Sequence, residues 1–263
     1  MWKNCGVSSP SPVPPIDVVG RAMRLLIHIG EHPMGISLTD LARATGIAPS
    51  TTHRLANALG RDGLVHFDPV SKRYQPGLRL FELGQKAGQV YGFAGTALPV
   101  MQRVTSQTQE ATLMSVLDGM EHLYVHYVDG PQPVGVRSEP GRHGPLYATS
   151  MGKVLVAFSP DDVREELLQK APLQPAGPNA ITDRDAWRRE IGLVRGRGYA
   201  TADEEHHAGL RAVAVPILRA DGNVFAALST AAPAYRKSLQ DLADLVPVLK
   251  QAAAELATRL PAR

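Results

Sequence analysis

Between Ser37 and Pro76 runs SLTDLARATGIAPSTTHRLANALGRDGLVHFDPVSKRYQP, two short helical patterns broken by a glycine and followed by two β-patterned segments. Ser37 is placed to cap the first helix, with Asp40 in its first turn, where a carboxylate suits the positive helix end. Leu38, Leu41 and Ala42 recur at helical spacing as far as Thr45-Gly46, which stops the helix. Ile47 is apolar and pins the turn to a core. Pro49 fits the first position of the second helix, where its missing N–H costs nothing. From there Thr52, Leu55, Ala56 and Leu59 share one face, and Ser50, Thr51, His53, Arg54 and Asn57 the other. Gly63 ends the helix. Leu64–Phe67 and Arg73–Gln75 then read as two strands around an Asp68-Pro69 turn, with Lys72 and Arg73 near its tip.

This is the pattern of a winged helix-turn-helix. Hydroxyls and an arginine crowded at the exposed N-terminal end of a second helix suit base edges in a major groove. A basic wing tip, and backbone amides at the Ser37 helix start, suit phosphates. The expected DNA-contacting residues are therefore Ser37, Ser50, Thr51, His53, Arg54, Asn57, Lys72 and Arg73. Charge is consistent with this. Residues 1–80 hold nine Lys/Arg against five Asp/Glu, whereas the rest of the chain holds nineteen against twenty. The positive balance lies wholly in the segment expected to meet DNA.

The remainder narrows the alternatives. The 263 residues suit two domains. No apolar run reaches the ~18 residues of a membrane span, and the N-terminus lacks the apolar stretch of a signal peptide. Its serines and prolines suggest a disordered tail over residues 1–15. Cys5, the single cysteine, lies there, so an intrachain disulfide and cysteine metal sites are excluded. The expected location is the cytoplasm. Val19, Met23, Leu26 and Ile27 form a stripe expected to face the core of a support helix. Leu78 to Phe93 reads as a linker helix, with Leu80, Leu83, Ala87 and Val90 on one side. Gly84, Gly88, Gly92 and Gly95 soften it, and it is expected to meet a partner subunit.

A different pattern begins after a helix over Leu98–Gln107. Ala111–Leu117, His122–Val128 and Val134–Arg137 are β-branched segments separated by the hairpin signals Asp118-Gly119 and Asp129-Gly130. Helices are expected over Thr149–Phe158, Asp161–Lys170, Asp183–Arg197 and Ser238–Leu260. Ala212–Leu218 and Val224–Thr230 should be strands. The fold class is α+β in two domains, with one mixed or antiparallel sheet covered by helices in the second. The expected divisions are 16–77 for the winged domain, 78–94 for the linker helix and 95–263 for the second domain.

Several motifs in order make the chain resemble the IclR family of bacterial transcription regulators. They are RAMRLL, the helix-turn-helix itself, RYQPGLRLFELG, GRHGPLYATSMGKVLVAFSP, ITDRDAWRREIGLVRGRGYATADEEHHAGLRAVAVPI and AALSTAAP. The resemblance covers about residues 17–235. It implies a C-terminal domain similar to the GAF fold that binds a small-molecule effector, assembly into dimers or tetramers, and control of catabolic operons. Repression is the expected direction. Carried over by position, it implies an effector site of Ser150, Met151, Gly152, Asp203, Glu204, Arg211, Ala212, Ser229 and Ala231. Backbone N–H groups at the helix start over Ser150–Gly152 independently favour a ligand carboxylate. Family members often carry a small residue at the position of Met151 and polar ones at Ala212 and Ala231. An apolar pocket suits an aromatic or alkyl-bearing acid better than a two-carbon one.

Two other classes are weighed against this. An enzyme fused to a winged helix would need catalytic spacing, and the chain has no GxSxG, GxxxxGK[ST], HExxH or strand-linked GxGxxG. No catalytic residue or cofactor is expected. A winged helix used for protein contacts would not need the basic wing. His206-His207 beside Asp203-Glu204-Glu205 suggests a metal, but adjacent residues rarely ligate one ion and no spaced partner stands out, so none is expected.

Overall fold

The computed structural model describes residues 17–90 and 95–259. The chain divides into two compact units, Met1–Ala87 and Gly88–Arg263. The expected tail and Cys5 lie outside the described residues.

In the first unit, α1 (Val18–Gly30), α2 (Leu38–Thr45) and α3 (Pro49–Arg61) pack around one core, with a wing of β2 (Val65–Asp68) and β3 (Arg73–Pro76). A two-residue strand the sequence did not announce, β1 (Ile36–Ser37), pairs antiparallel with β3 to give the sheet order β1-β3-β2. Ser37 Oγ accepts from Asp40 N at 3.2 Å and caps α2, and Gly46 ends that helix in the left-handed region at φ 68°. That conformation is why a glycine stands there.

One expectation about α1 is corrected. Val19, Met23 and Ile27 are 68%, 47% and 62% exposed, and only Leu26 of that stripe is buried. The core takes Leu25, Leu26 and Ile29 instead. Both faces of α1 are apolar, so spacing identified the helix without identifying its inner side. Helix α4 (Leu78–Val90) crosses the division between the units, and Leu78, Phe81 and Leu83 on it are exposed. Residues 91–94, the expected end of that helix, lie outside the described residues.

The second unit is an α+β, GAF-like domain built on a six-stranded antiparallel sheet, β6-β5-β4-β9-β8-β7. Its strands are β4 (Ala111–Asp118), β5 (Glu121–Val128), β6 (His143–Pro145), β7 (Ala200–Asp203), β8 (Leu210–Leu218) and β9 (Val224–Pro233). Successive side chains alternate between two cores. Leu113, Ala214 and Ala227 join a layer formed with α6 (Ser150–Ala157), α7 (Asp161–Lys170) and α8 (Arg184–Arg197). Met114, Val213, Val215 and Leu228 join α5 (Ala97–Thr108) and α10 (Val246–Arg259) on the opposite face.

Three expectations change here. Val134–Arg137 is not a strand: it follows the donor-lacking Pro131 and Pro133 and carries Gly135, and β5 is instead edged by β6. Strand β7 was missed because Ala-Thr-Ala-Asp carries too little apolar alternation to register. The C-terminal helix breaks into α9 (Leu239–Ala243) and α10, since Pro247 has no N–H to donate to Ala243 one turn earlier.

Candidate functional site

The first candidate surface is the tip of α3. Pro49 opens the helix, and Ala48 before it makes no side-chain cap, so the first-turn amides are left to solvent. Thr52, Leu55, Ala56 and Leu59 are buried, with Thr52 Oγ1 donating to Ile47 O at 3.2 Å. Their burial turns Ser50, His53, Arg54 and Asn57 outward, with Thr51 half-buried. The Asn57 amide reaches the His53 ring at 3.3 Å, while Arg54 makes no hydrogen bond or ion pair among the described residues. Lys72, at φ 58°, caps the wing turn and is exposed.

Two expected residues are more committed than their sequence position suggested. The Ser37 hydroxyl donates to Asp40 Oδ2 at 2.7 Å, so what it leaves open at this helix start is backbone. Arg73 is exposed, yet its Nη1 donates to Gly35 O at 2.8 Å across the β1–β3 pairing.

The second candidate site is a cavity of ≈ 200 Å³ in the effector unit. Its floor follows from strand register. Ala231 of β9 lies opposite Ala111 and Ala212, and Ala212 lies opposite Ala202, so three of the cavity's wall positions are alanines in one row across the sheet. Leu113 and Ser229 form the adjoining row. Helix α6 closes the site with Ser150 and Met151. Ser150 Oγ and Ser229 Oγ stand 3.4 Å apart, and Ser115 Oγ donates to Met151 Sδ at 3.3 Å.

Of the nine expected effector residues, Ser150, Met151, Arg211, Ala212, Ser229 and Ala231 reach this wall. Gly152, Asp203 and Glu204 do not. Gly152 is where α6 crosses the chain at Leu146; an added Cβ would come within 2.4 Å of that backbone. Its N–H is also taken, by Thr149 Oγ1 at 3.0 Å, which corrects the expectation of three free amides at this helix start. Asp203 Oδ1 accepts from Arg211 Nε at 2.6 Å, and Glu204 Oε2 accepts from Gly209 N at 2.8 Å. Arg211 also donates to Ala234 O and Lys237 O, so its guanidinium is largely spent within the fold.

A buried ion pair reaches the cavity wall through Glu205. Lys153, 2% exposed, donates to Glu205 Oε1 at 2.6 Å and to Thr201 O at 3.0 Å, with Glu190 Oε1 at 3.7 Å. Burial pushes the Glu205 carboxyl upward against the pull of that ammonium. His122, fully buried, pairs through Nε2 with Thr149 Oγ1 at 3.0 Å, and burial holds it down to about 3. His206, a wall residue, is held down to about 4 by burial and then by His207, whose ring centroid is 4.0 Å away. Both imidazoles are neutral near pH 7. Among the described residues, metal-ligand spacing is found not at His206-His207 but at His28, Glu31 and His32 in the other unit.

Sequence reasoning missed several wall residues. Leu113 and Tyr124 come from β4 and β5, and Leu113 was reachable once Ser229 was suspected, because the two are register partners. Val136, Arg137 and Arg142 come from the irregular segment after β5, which carries no periodicity to read. Arg137 and Arg142 are exposed at the rim.

Comparison with known proteins agrees with both units. Residues 18–69 match the IclR helix-turn-helix domain, and residues 86–258 match the bacterial transcriptional regulator IclR C-terminal domain. The HTH-type transcriptional regulator KdgR of Escherichia coli (strain K12) is 31% identical over 245 residues, covering 93% of each chain. The Thermotoga maritima IclR crystal structure has a TM-score of 0.74 at 29% identity, covering 92% of this chain and 97% of that one. An IclR homolog from Microbacterium hydrocarbonoxydans, crystallised with 4-hydroxybenzoate, has a TM-score of 0.78 at 28% identity, covering 92% and 98%. These relatives are transcriptional regulators rather than enzymes. With matched domains spanning most of its length, the chain belongs to the IclR family of bacterial transcriptional regulators.

Proposed function

We propose that this regulator represses a catabolic operon and that its grip on DNA is set by a small acid with an aromatic or alkyl body. The observation that carries the effector reading is the alanine row Ala231–Ala212–Ala202, which leaves room for carbon rather than for hydrogen-bonding atoms. Ser150 and Ser229 supply polar contacts at one side, and the rim guanidinium groups of Arg137 and Arg142 favour an anion. The family member crystallised with 4-hydroxybenzoate holds a ligand of the same balance, a ring and a carboxylate.

On the DNA side, Ser50, Thr51, His53, Arg54 and Asn57 read base edges, while Lys72, Arg73 and amides at the Ser37 helix start hold phosphates. One such tip reads too few base pairs to be selective. The working form is therefore a homodimer or homotetramer on a palindromic operator, with half-sites about one helical turn or a multiple apart. The exposed apolar side chains on α1 and α4 are suited to a partner copy. A ten-fold change in DNA affinity requires the acid to prefer one arrangement of the oligomer by about 1.4 kcal/mol.

The test is footprinting on the DNA upstream of the gene, repeated across a series of organic acids. Protection of a palindrome that weakens steeply with salt and is relieved by aromatic or longer alkyl acids is expected. Protection equal on random DNA, or relief by two- and three-carbon acids alone, would overturn the reading.

A further inference from the structure

We propose that His28, Glu31 and His32 form a binding site for a divalent transition-metal ion, of the zinc(II) or nickel(II) class, at the C-terminal end of α1. One ligand atom from each residue lies within 4.8 Å of the other two. His28 lies in the last turn of α1 and Glu31 is its C-cap three residues on, while His32 follows in the turn just beyond the helix. The two histidine ring centroids are 4.9 Å apart.

Details of the hydrogen bonding fit a ligand set. His32 Nδ1 lies 2.8 Å from His28 O. A carbonyl only accepts, so Nδ1 carries the ring hydrogen and Nε2 is left with its lone pair outward. A backbone carbonyl fixing the tautomer of an imidazole is the usual companion of a metal-bound histidine. His28 Nδ1 and Glu31 Oε2 stand 3.2 Å apart. Two donors bound to one zinc at tetrahedral angles would stand about 3.3 Å apart, so this edge needs almost no adjustment. Two imidazoles and a carboxylate match zinc or nickel rather than magnesium or calcium, and water would complete the shell. The helix end helps as well, since its carbonyl dipoles favour a cation there.

The site is also placed to matter. Gly35 N donates to His32 O at 2.7 Å, and Gly35 O accepts from the wing residue Arg73 at 2.8 Å. The turn that carries His32 is thus the turn that holds the wing arginine.

A plain His28–Glu31 ion pair is the competing account, and it makes no use of His32. Isothermal titration of zinc(II) into the metal-free full-length protein separates the two. One tight zinc per chain is expected, with affinity falling at least about ten-fold in His28→Gln and in His32→Gln. The His206→Gln/His207→Gln variant should keep it. Glu31→Gln alters a side chain that is 61% exposed, so it tests the site even if a histidine variant fails to fold, and it too should weaken binding. Cobalt(II) added to the wild type should give visible d–d bands that disappear in His32→Gln. Unchanged zinc affinity in His32→Gln, or loss of binding in the His206/His207 variant, would overturn the proposal.

Discussion

Helix α3 turns its N-terminal residues outward with no side chain capping them, whereas α6 has all eight residues buried and Thr149 closing its first turn. Each helix leads into a candidate site. In α3 the outward polar residues Ser50, His53, Arg54 and Asn57 are surplus to the core, and substituting them should leave stability alone. In α6 the polar residues are embedded in it, so substitution should act on folding first. A surface can be altered one contact at a time; a buried helix answers as a unit.

The sharpest break in that contrast would come from Lys153. Lys153→Met strands the Glu205 carboxylate in the interior, and about 3–5 kcal/mol of effector-unit stability should go with it. Thermal melting reads this, and adding Glu205→Leu should restore part of the loss. A wild-type melting curve for the single variant would show that α6 does not lean on its ion pair. At the other helix, Arg54→Ala should cost roughly 1–3 kcal/mol on operator DNA, with random DNA and the melting temperature little changed. Anisotropy on both DNAs decides whether that arginine reads bases.

Acid should act on one unit more than the other. His122 is held to about 3 when folded against an ordinary 6.5, so the unfolded chain binds the extra proton first. Its stabilising contribution is complete above about pH 6.5 and is lost as pH falls toward 3, reaching about 2 kcal/mol by pH 5. Denaturant titrations of wild type and His122→Phe across this range should show a shallower slope in the variant. Parallel slopes would place the pH dependence elsewhere.

Smaller effects refine the picture. Ala212→Leu fills the cavity floor, and effector binding should weaken about ten-fold, near 1.4 kcal/mol, while DNA affinity without effector stays as it was. Calorimetry with the acid found by footprinting checks it. Lys72→Ala should weaken every DNA sequence alike and lower the salt slope by about one, read from binding at several salt concentrations.

How much of this was legible in the sequence follows the same division. The α3 pattern is periodic with one wet side, so Thr52, Leu55, Ala56 and Leu59 pointed inward on spacing alone. Helix α1 shows the limit of that method, because Val19, Met23 and Ile27 make an equally good stripe on the side that stays exposed. The six cavity residues that were anticipated came through resemblance, not spacing. Those missed sit where strand register or an irregular segment delivers them: Leu113 opposite Ser229, and Val136, Arg137 and Arg142 beyond β5. Asp203 and Glu204 lie off this wall, since an acidic run says nothing about which way it faces; one is tied to Arg211 and the other to Gly209.

The alanines across β7, β8 and β9 carry a wider consequence. A chamber hollowed by short side chains is shaped by where bulk is missing. On the function proposed above, lengthening one alanine at a time to valine or leucine is the way to retune such a chamber to another molecule.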